Sequence, residues 1–250
     1  MSAPDAPLDT LLGGRVRLDQ AAAGQRASIE AVLLAAAVPA RSGEAVLEAG
    51  TGVGTAALCL LARVPGLSVV GVESDPAQAA AAAENAALNG WTERFVALAG
   101  DIAQPATARA AARHGPYDHA MANPPWFGTG TAPRSAARRA ARQADEAGLS
   151  PWVRFLARRV RPGGSVTLVL PAFLLPEALA AFRTERLGAG VLFPLWPRAG
   201  VAAKRVILAA RIARRSPLAI APGLVLHGSG GRFTAEAEAV LRGGEPIRIG

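Results

Sequence analysis

From Ala45 onward, short apolar runs of β character alternate with Ala-rich stretches of helical character, and this alternation restricts the available folds more than any other feature. Ala45-Val46-Leu47-Glu48-Ala49 reads as a buried strand, with a helix behind it from Val53 to Arg63. Ser68 to Glu73 is a second strand. Pro76, which a first helical turn tolerates, opens a helix to about Asn89 that Gly90 ends. Phe95 to Leu98 forms a third strand, a short helix follows near Thr107 to Arg113, and Tyr117 to Ala122 is a fourth strand. Trp152 to Val160 reads as helix, Pro162-Gly163-Gly164 as a turn, and Ser165 to Leu170 as the next strand. Gly190 to Leu195 and Arg205 to Ile212, with no long helix between them, read as an antiparallel hairpin at a sheet edge.

Strands separated by helices indicate a mainly parallel sheet with helices on both faces. The chain therefore reads as a single α/β domain around a seven-stranded sheet. Residues 1–44 form a leader with no strand signal and a helix from Ser28, placed as a lid over the mouth of the site. Residues 45–215 form the core, and 216–250 a C-terminal extension whose Thr234 caps a last helix.

Composition removes several function classes. The longest apolar run, Ala31 to Val38, falls well short of the roughly 20 residues that cross a bilayer. Met1 to Thr10 carries Asp5 and Asp9 and lacks the basic-then-apolar start of a secretory signal, so the reading is a soluble cytosolic protein. Cys59 is the only cysteine and lies in a helical apolar pattern, as a small core residue and not a nucleophile. His114, His119 and His227 have no metal-site or triad spacing, so no metal is expected. The formal charge of +8 suits a polyanionic partner such as RNA, although Lys204 is the only lysine and an arginine-biased composition explains part of the excess.

Two motifs carry chemistry. The first strand runs into Glu48-Ala49-Gly50-Thr51-Gly52-Val53-Gly54, where glycines let a ligand approach the backbone closely. The spacing is one residue tighter than the dinucleotide fingerprint. Glu73 ends the second strand at the offset where a carboxylate reaches ribose hydroxyls; Asp75 competes for that role or caps the next helix. Asp101, after the third strand, accepts from a ligand's amino group or caps a turn.

The second motif is Asn123-Pro124-Pro125-Trp126, at the end of the fourth strand. The lone pair of an exocyclic amine is delocalised into its ring, which makes it a poor nucleophile. Acceptors on its two N–H bonds, the Asn123 side-chain oxygen and the Pro124 carbonyl, draw the nitrogen toward tetrahedral geometry and free that pair. The two prolines keep the backbone rigid, and Trp126 offers a face for stacking a planar target.

On these residues the chain resembles the Rossmann-like class I methyltransferases with an Asn-Pro-Pro-aromatic motif. It is most similar to the bacterial adenine-N6 methyltransferases of a valine tRNA. The resemblance spans roughly Leu11 to Leu241 and rests on three stretches: Gln25 to Leu34, Asn123 to Gly128 with an Arg-rich segment after it, and Ala203 to Leu208. Glu30 stands where that family has Asp, and the leader's aromatics are missing. The resemblance implies S-adenosylmethionine as cofactor, held by Glu48, Gly50, Gly52, Gly54, Glu73 and Asp101. It implies Asn123, Pro124, Pro125 and Trp126 as the catalytic set, and RNA, in particular tRNA, as the partner.

Arg134, Arg138, Arg139 and Arg142 lie in one short stretch; on a helix the pairs 134/138 and 138/142 would share a face suited to phosphate, or the stretch forms a solvated loop. Arg211, Arg214 and Arg215 are a weaker second patch. Two rivals use the same motif: glutamine N5-methylation of a protein, disfavoured because only 49 residues precede Gly50, and guanine-N2 methylation of ribosomal RNA. A third reading, from another class, is a non-catalytic cofactor- or RNA-binding module.

Overall fold

The computed structural model describes residues 8–20, 28–125 and 148–249. Trp126, the arginines from Arg134 to Arg142, and Gln25 to Ala27 lie outside the described residues. The described chain runs β1 (Asp9–Leu11), β2 (Val16–Leu18), α1 (Ile29–Ala37), β3 (Ala45–Ala49), α2 (Thr55–Arg63), β4 (Ser68–Glu73), α3 (Pro76–Leu88), β5 (Phe95–Ala99), α4 (Pro105–Ala112) and β6 (Tyr117–Ala122). It continues with α5 (Ser150–Ala157), β7 (Val160–Pro171), α6 (Leu175–Thr184), β8 (Leu187–Trp196), β9 (Arg205–Ile212), β10 (Ala219–Ile220), β11 (Leu224–Val225) and α7 (Ala235–Leu241).

Seven principal strands lie in the order β5-β4-β3-β6-β7-β9-β8, and β10 and β11 pair with the outer edge of β8. The first five are parallel; β9 runs antiparallel to both β7 and β8. This is the α/β sheet with a C-terminal hairpin expected from the alternation, extended by two two-residue strands. Successive strand residues feed opposite faces. Val46, Val69 and Met121 pack under α1, α2 and α3, whereas Leu47, Val70 and Ala120 pack under α5 and α6.

The apolar run at Ala31 is α1, buried on every side from Ala31 to Ala37 against the sheet, α2 and α7. A helix that is apolar all round belongs in a core. It occupies the same layer as β2 and the C-terminal Ile247, whose N–H donates to the Ala36 carbonyl at 2.8 Å.

The leader does contain strands, contrary to expectation. β1 and β2 form a three-residue antiparallel ribbon held by Asn85 of α3 and by Asn89, which follows its last turn. Asn85 accepts from the Asp19 N–H (2.7 Å) and donates to the Asp19 carbonyl (2.9 Å), and Asn89 pairs with Arg17 in the same way (2.9 and 2.7 Å). Two side-chain amides at i and i+4 thus take the place of a neighbouring strand. Asn85, 1% exposed, also donates to the Val53 carbonyl at 3.0 Å, tying the ribbon to the glycine turn.

Other features differ around β7. Val160 begins β7 and does not end α5. The Pro162-Gly163-Gly164 segment lies within β7 as a bulge, since Tyr117 pairs with Val160 but His119 with Ser165. A helix that the sequence reading passed over, α6, links β7 to β8.

Candidate active site

The chain winds outward from β3 through β4 to β5, then returns to β6 on the other side of β3. Ligands of open α/β sheets bind at such a switch point, beyond the carboxyl ends of the strands. Here the register pairs Ala49 with Ala122. Gly50 and Asn123 are therefore the next residues on adjacent strands, about 5 Å apart laterally. Both sequence motifs meet at one edge.

The glycine spacing reflects backbone conformation: Gly50, Gly52 and Gly54 have φ of +69°, +56° and +90°. L-residues avoid this region. Gly50 is also confined, because a Cβ there would lie 2.9 Å from the Trp152 ring of α5. Gly71 is small for a related reason, as a Cβ on it would meet Thr51 at 2.8 Å. The Gly50 and Thr51 N–H groups donate to the Val72 carbonyl (2.8 and 3.1 Å), which seats the turn on β4.

Glu73, half-buried at the end of β4, accepts from the Gly52 N–H at 2.9 Å and from the Asp75 N–H at 3.0 Å. Asp75 caps α3, its Oδ1 accepting from the Ala77 N–H at 2.9 Å, whereas Glu73 is bonded to the glycine turn. Asp101 is exposed beyond β5 and accepts from the Ala103 N–H at 2.8 Å. The Gly100 N–H donates to the Glu73 carbonyl at 2.8 Å, so the two strand ends that carry these acids adjoin.

Glu48 is placed differently from the other acids. It is 2% exposed, beneath the turn, and accepts from the Thr51 hydroxyl at 2.6 Å. Burial pushes its pKa up to about 8, against the hydrogen bonds from Thr51 and the Ala57 backbone, which lower it. A raised folded-state value favours the protonated acid, so this contribution to stability is complete below about 4.5 and is lost as pH rises toward 8. Glu48→Gln is accordingly expected to raise the melting temperature at pH 8 by several degrees and to leave it nearly unchanged at pH 4, a difference read by thermal unfolding across that range.

Asn123 is half-buried, and Pro124 and Pro125 line a small cleft with Leu149, Trp152, Leu174 and Glu177. The Leu149 N–H donates to Glu177 at 2.5 Å, joining α6 to the start of α5. Trp152 thus forms a common wall between the glycine turn and the Asn-Pro-Pro segment. The sequence reading missed this role; its signal was an aromatic in the first turn of the helix that follows the motif. Cys59 is 1% exposed within α2, and burial pushes its thiol up to about 12, so it supplies no thiolate. His119 is buried between Ser165 (2.8 Å) and Glu44 (3.1 Å), near the start of β6 and away from the reactive edge. Among the described residues no cluster of His, Cys, Asp or Glu is arranged to hold a metal, and no helix is long and apolar enough to cross a membrane.

The sequence signature of the methyltransferase small domain matches residues 24–178. The chain belongs to that family. It is an S-adenosylmethionine-dependent methyltransferase with the class I fold. The tRNA1(Val) (adenine(37)-N6)-methyltransferase of Aeromonas hydrophila is 30% identical to it over 218 residues, 87% of this chain and 89% of the relative. The enzyme of the same name from Porphyromonas gingivalis is 30% identical over 72% of each chain. A crystal structure of a predicted O-methyltransferase from Agrobacterium tumefaciens superposes with a TM-score of 0.72 at 24% identity, covering 87% of this chain and 97% of that one. It shares the fold. Two of the stretches that resemble the family meet in this methyltransferase: Arg205 of β9 is ion-paired with Glu30 of α1 at 2.7 Å.

Proposed function

We propose that this methyltransferase transfers a methyl group to adenine N6 in a tRNA, as one cytoplasmic catalytic domain. The observation that carries the reading is the Ala49–Ala122 register, which sets the glycine turn beside Asn123. The residues fit the cofactor: the turn presents backbone where side chains would intrude, and carboxylates border it on β4 and after β5. Gly50, Gly52 and Gly54 would admit the ligand's amino acid and ribose portions, Glu73 its ribose hydroxyls and Asp101 its adenine amino group. Glu48, held as the neutral acid by burial, would shape the turn from beneath through its hydrogen bond with Thr51.

Bound S-adenosylmethionine supplies an electrophilic methyl group. The protein's part is to make the acceptor nucleophilic. The Asn123 side-chain oxygen and the Pro124 carbonyl each accept one N–H of the target amine, which localises its lone pair, and one of these protons passes to solvent once the nitrogen has taken the methyl group. Pre-aimed acceptors of this kind lower a barrier by several kcal/mol without reorganising in the transition state. Trp126 supplies a stacking face. Arg134, Arg138, Arg139 and Arg142 would meet phosphates. Adenine is favoured over a protein amide or a guanine because the relatives matched over most of this chain carry that name.

Incubation with methyl-labelled S-adenosylmethionine and separate pools of unmodified tRNA, ribosomal RNA and total protein tests the polymer. Label is expected in tRNA alone. Label confined to protein would overturn the reading.

A further inference from the structure

Beyond the cleft of Pro124 and Pro125, the reactive edge carries apolar surface that the chemistry above does not use. Phe173, 66% exposed, lies in the short turn Ala172–Leu174 after β7, the strand next to β6, and its neighbour Leu174 lines the cleft of Pro124 and Pro125. The Ala172 N–H donates to the Lys204 carbonyl at 3.0 Å, which sets this turn against the β8–β9 hairpin. The hairpin in turn forms a groove of about 490 Å³ lined by Trp196, Ala199, Gly200, Val201, Ala202 and Val225.

The groove has a fixed wall. The Trp196 indole N–H donates to the Pro222 carbonyl at 3.0 Å, and the extension fits there because Gly223 lacks a Cβ, which would lie 2.7 Å from that nitrogen. Val201, 46% exposed, closes the other side. Single exposed apolar residues are ordinary. Here, however, two aromatic stations follow one another from Asn123 along a single edge. Trp196 lies three strand spacings from β6, about 14 Å. The segment between Trp196 and Arg205 contains no acid, and Arg198 and Lys204 in it are exposed.

We propose that Phe173 and the Trp196–Val201 groove form a track for unpaired nucleotides flanking the target base. The proposal rests on the RNA reading above and adds which surface holds the strand. Phe173 stacks the nucleotide nearest the cleft, the groove takes a base farther along, and Arg198 and Lys204 stand beside the connecting phosphates. Stacking platforms interleaved with cations are how proteins grip single strands, and loop nucleotides can be splayed at low cost. An extended peptide fits less well, because the β8 backbone it would pair with is already occupied by β10 and β11.

The test compares Phe173→Ala and Val201→Glu, both at exposed positions, with the wild type on unmodified tRNA and on total protein. Each variant is expected to raise KM for tRNA about ten-fold or more. Melting temperature and the dissociation constant of S-adenosylhomocysteine should stay at wild-type values, and Phe173→Trp should restore the tRNA KM. If the wild type methylates tRNA and both variants keep its KM, the track is overturned while the RNA reading stands. If the wild type labels protein and no RNA, both fall together.

Discussion

Asn123→Ala is expected to lower kcat by about 10³-fold or more, while the dissociation constant of S-adenosylhomocysteine changes less than about three-fold. The separation follows from the sheet. Asn123 follows β6, whereas the cofactor turn follows β3, so the two lie side by side on separate strands in the Ala49–Ala122 register. Removing the side-chain amide takes away an acceptor that acts on the amine as its lone pair is freed, a loss felt mainly in the transition state. Truncation at a half-buried strand end leaves the turn's own hydrogen bonds to Val72 and Glu73 in place. Single-turnover kinetics with calorimetric binding would read both quantities. Unchanged turnover would remove Asn123 from the catalytic set.

Gly50→Ala is expected to lower the melting temperature by roughly 5–15 °C and to abolish measurable cofactor binding. Two costs combine. A non-glycine residue in the left-handed region costs about 1–2 kcal/mol. The added Cβ also meets Trp152 at 2.9 Å, inside a packed wall, and overpacking of this kind costs about 1–3 kcal/mol. Gly52→Ala serves as the internal comparison. Its φ is positive as well, but its Cβ would meet only the end of Gln78 at 3.5 Å. Gly52→Ala should therefore show the backbone cost alone, and equal melting temperatures for the two variants would contradict the role given to Trp152.

Much of this architecture was legible because its signals are local. Buried strands show as apolar runs, and Pro76 and Gly90 bracket α3 in the sequence as they do in the fold. The cap at Thr234 was equally plain, its hydroxyl accepting from the Ala237 N–H at 3.1 Å. The ribbon of β1 and β2 was not legible, since three-residue strands carry no period and its partners are side chains of Asn85 and Asn89 on a distant helix. The α6 helix did have a signal, a proline at its first turn ahead of an Ala/Leu pattern, but the apolar runs on either side obscured it. At the site, the glycine and Asn-Pro-Pro motifs announced themselves because each fixes a backbone conformation. Trp152 and Phe173 did not, because an aromatic acquires such a role only from what the fold sets beside it. Glu48 was visible as an acid near the turn, yet its burial beneath Thr51 is a property of packing and has no sequence pattern.

The measurement that tests the central claim most directly is mass analysis of the nucleosides from unmodified tRNA treated with the enzyme and S-adenosylmethionine. The account predicts N6-methyladenosine, absent when Asn123→Ala replaces the wild type. N2-methylguanosine instead, or N6-methyladenosine formed undiminished by Asn123→Ala, would contradict it.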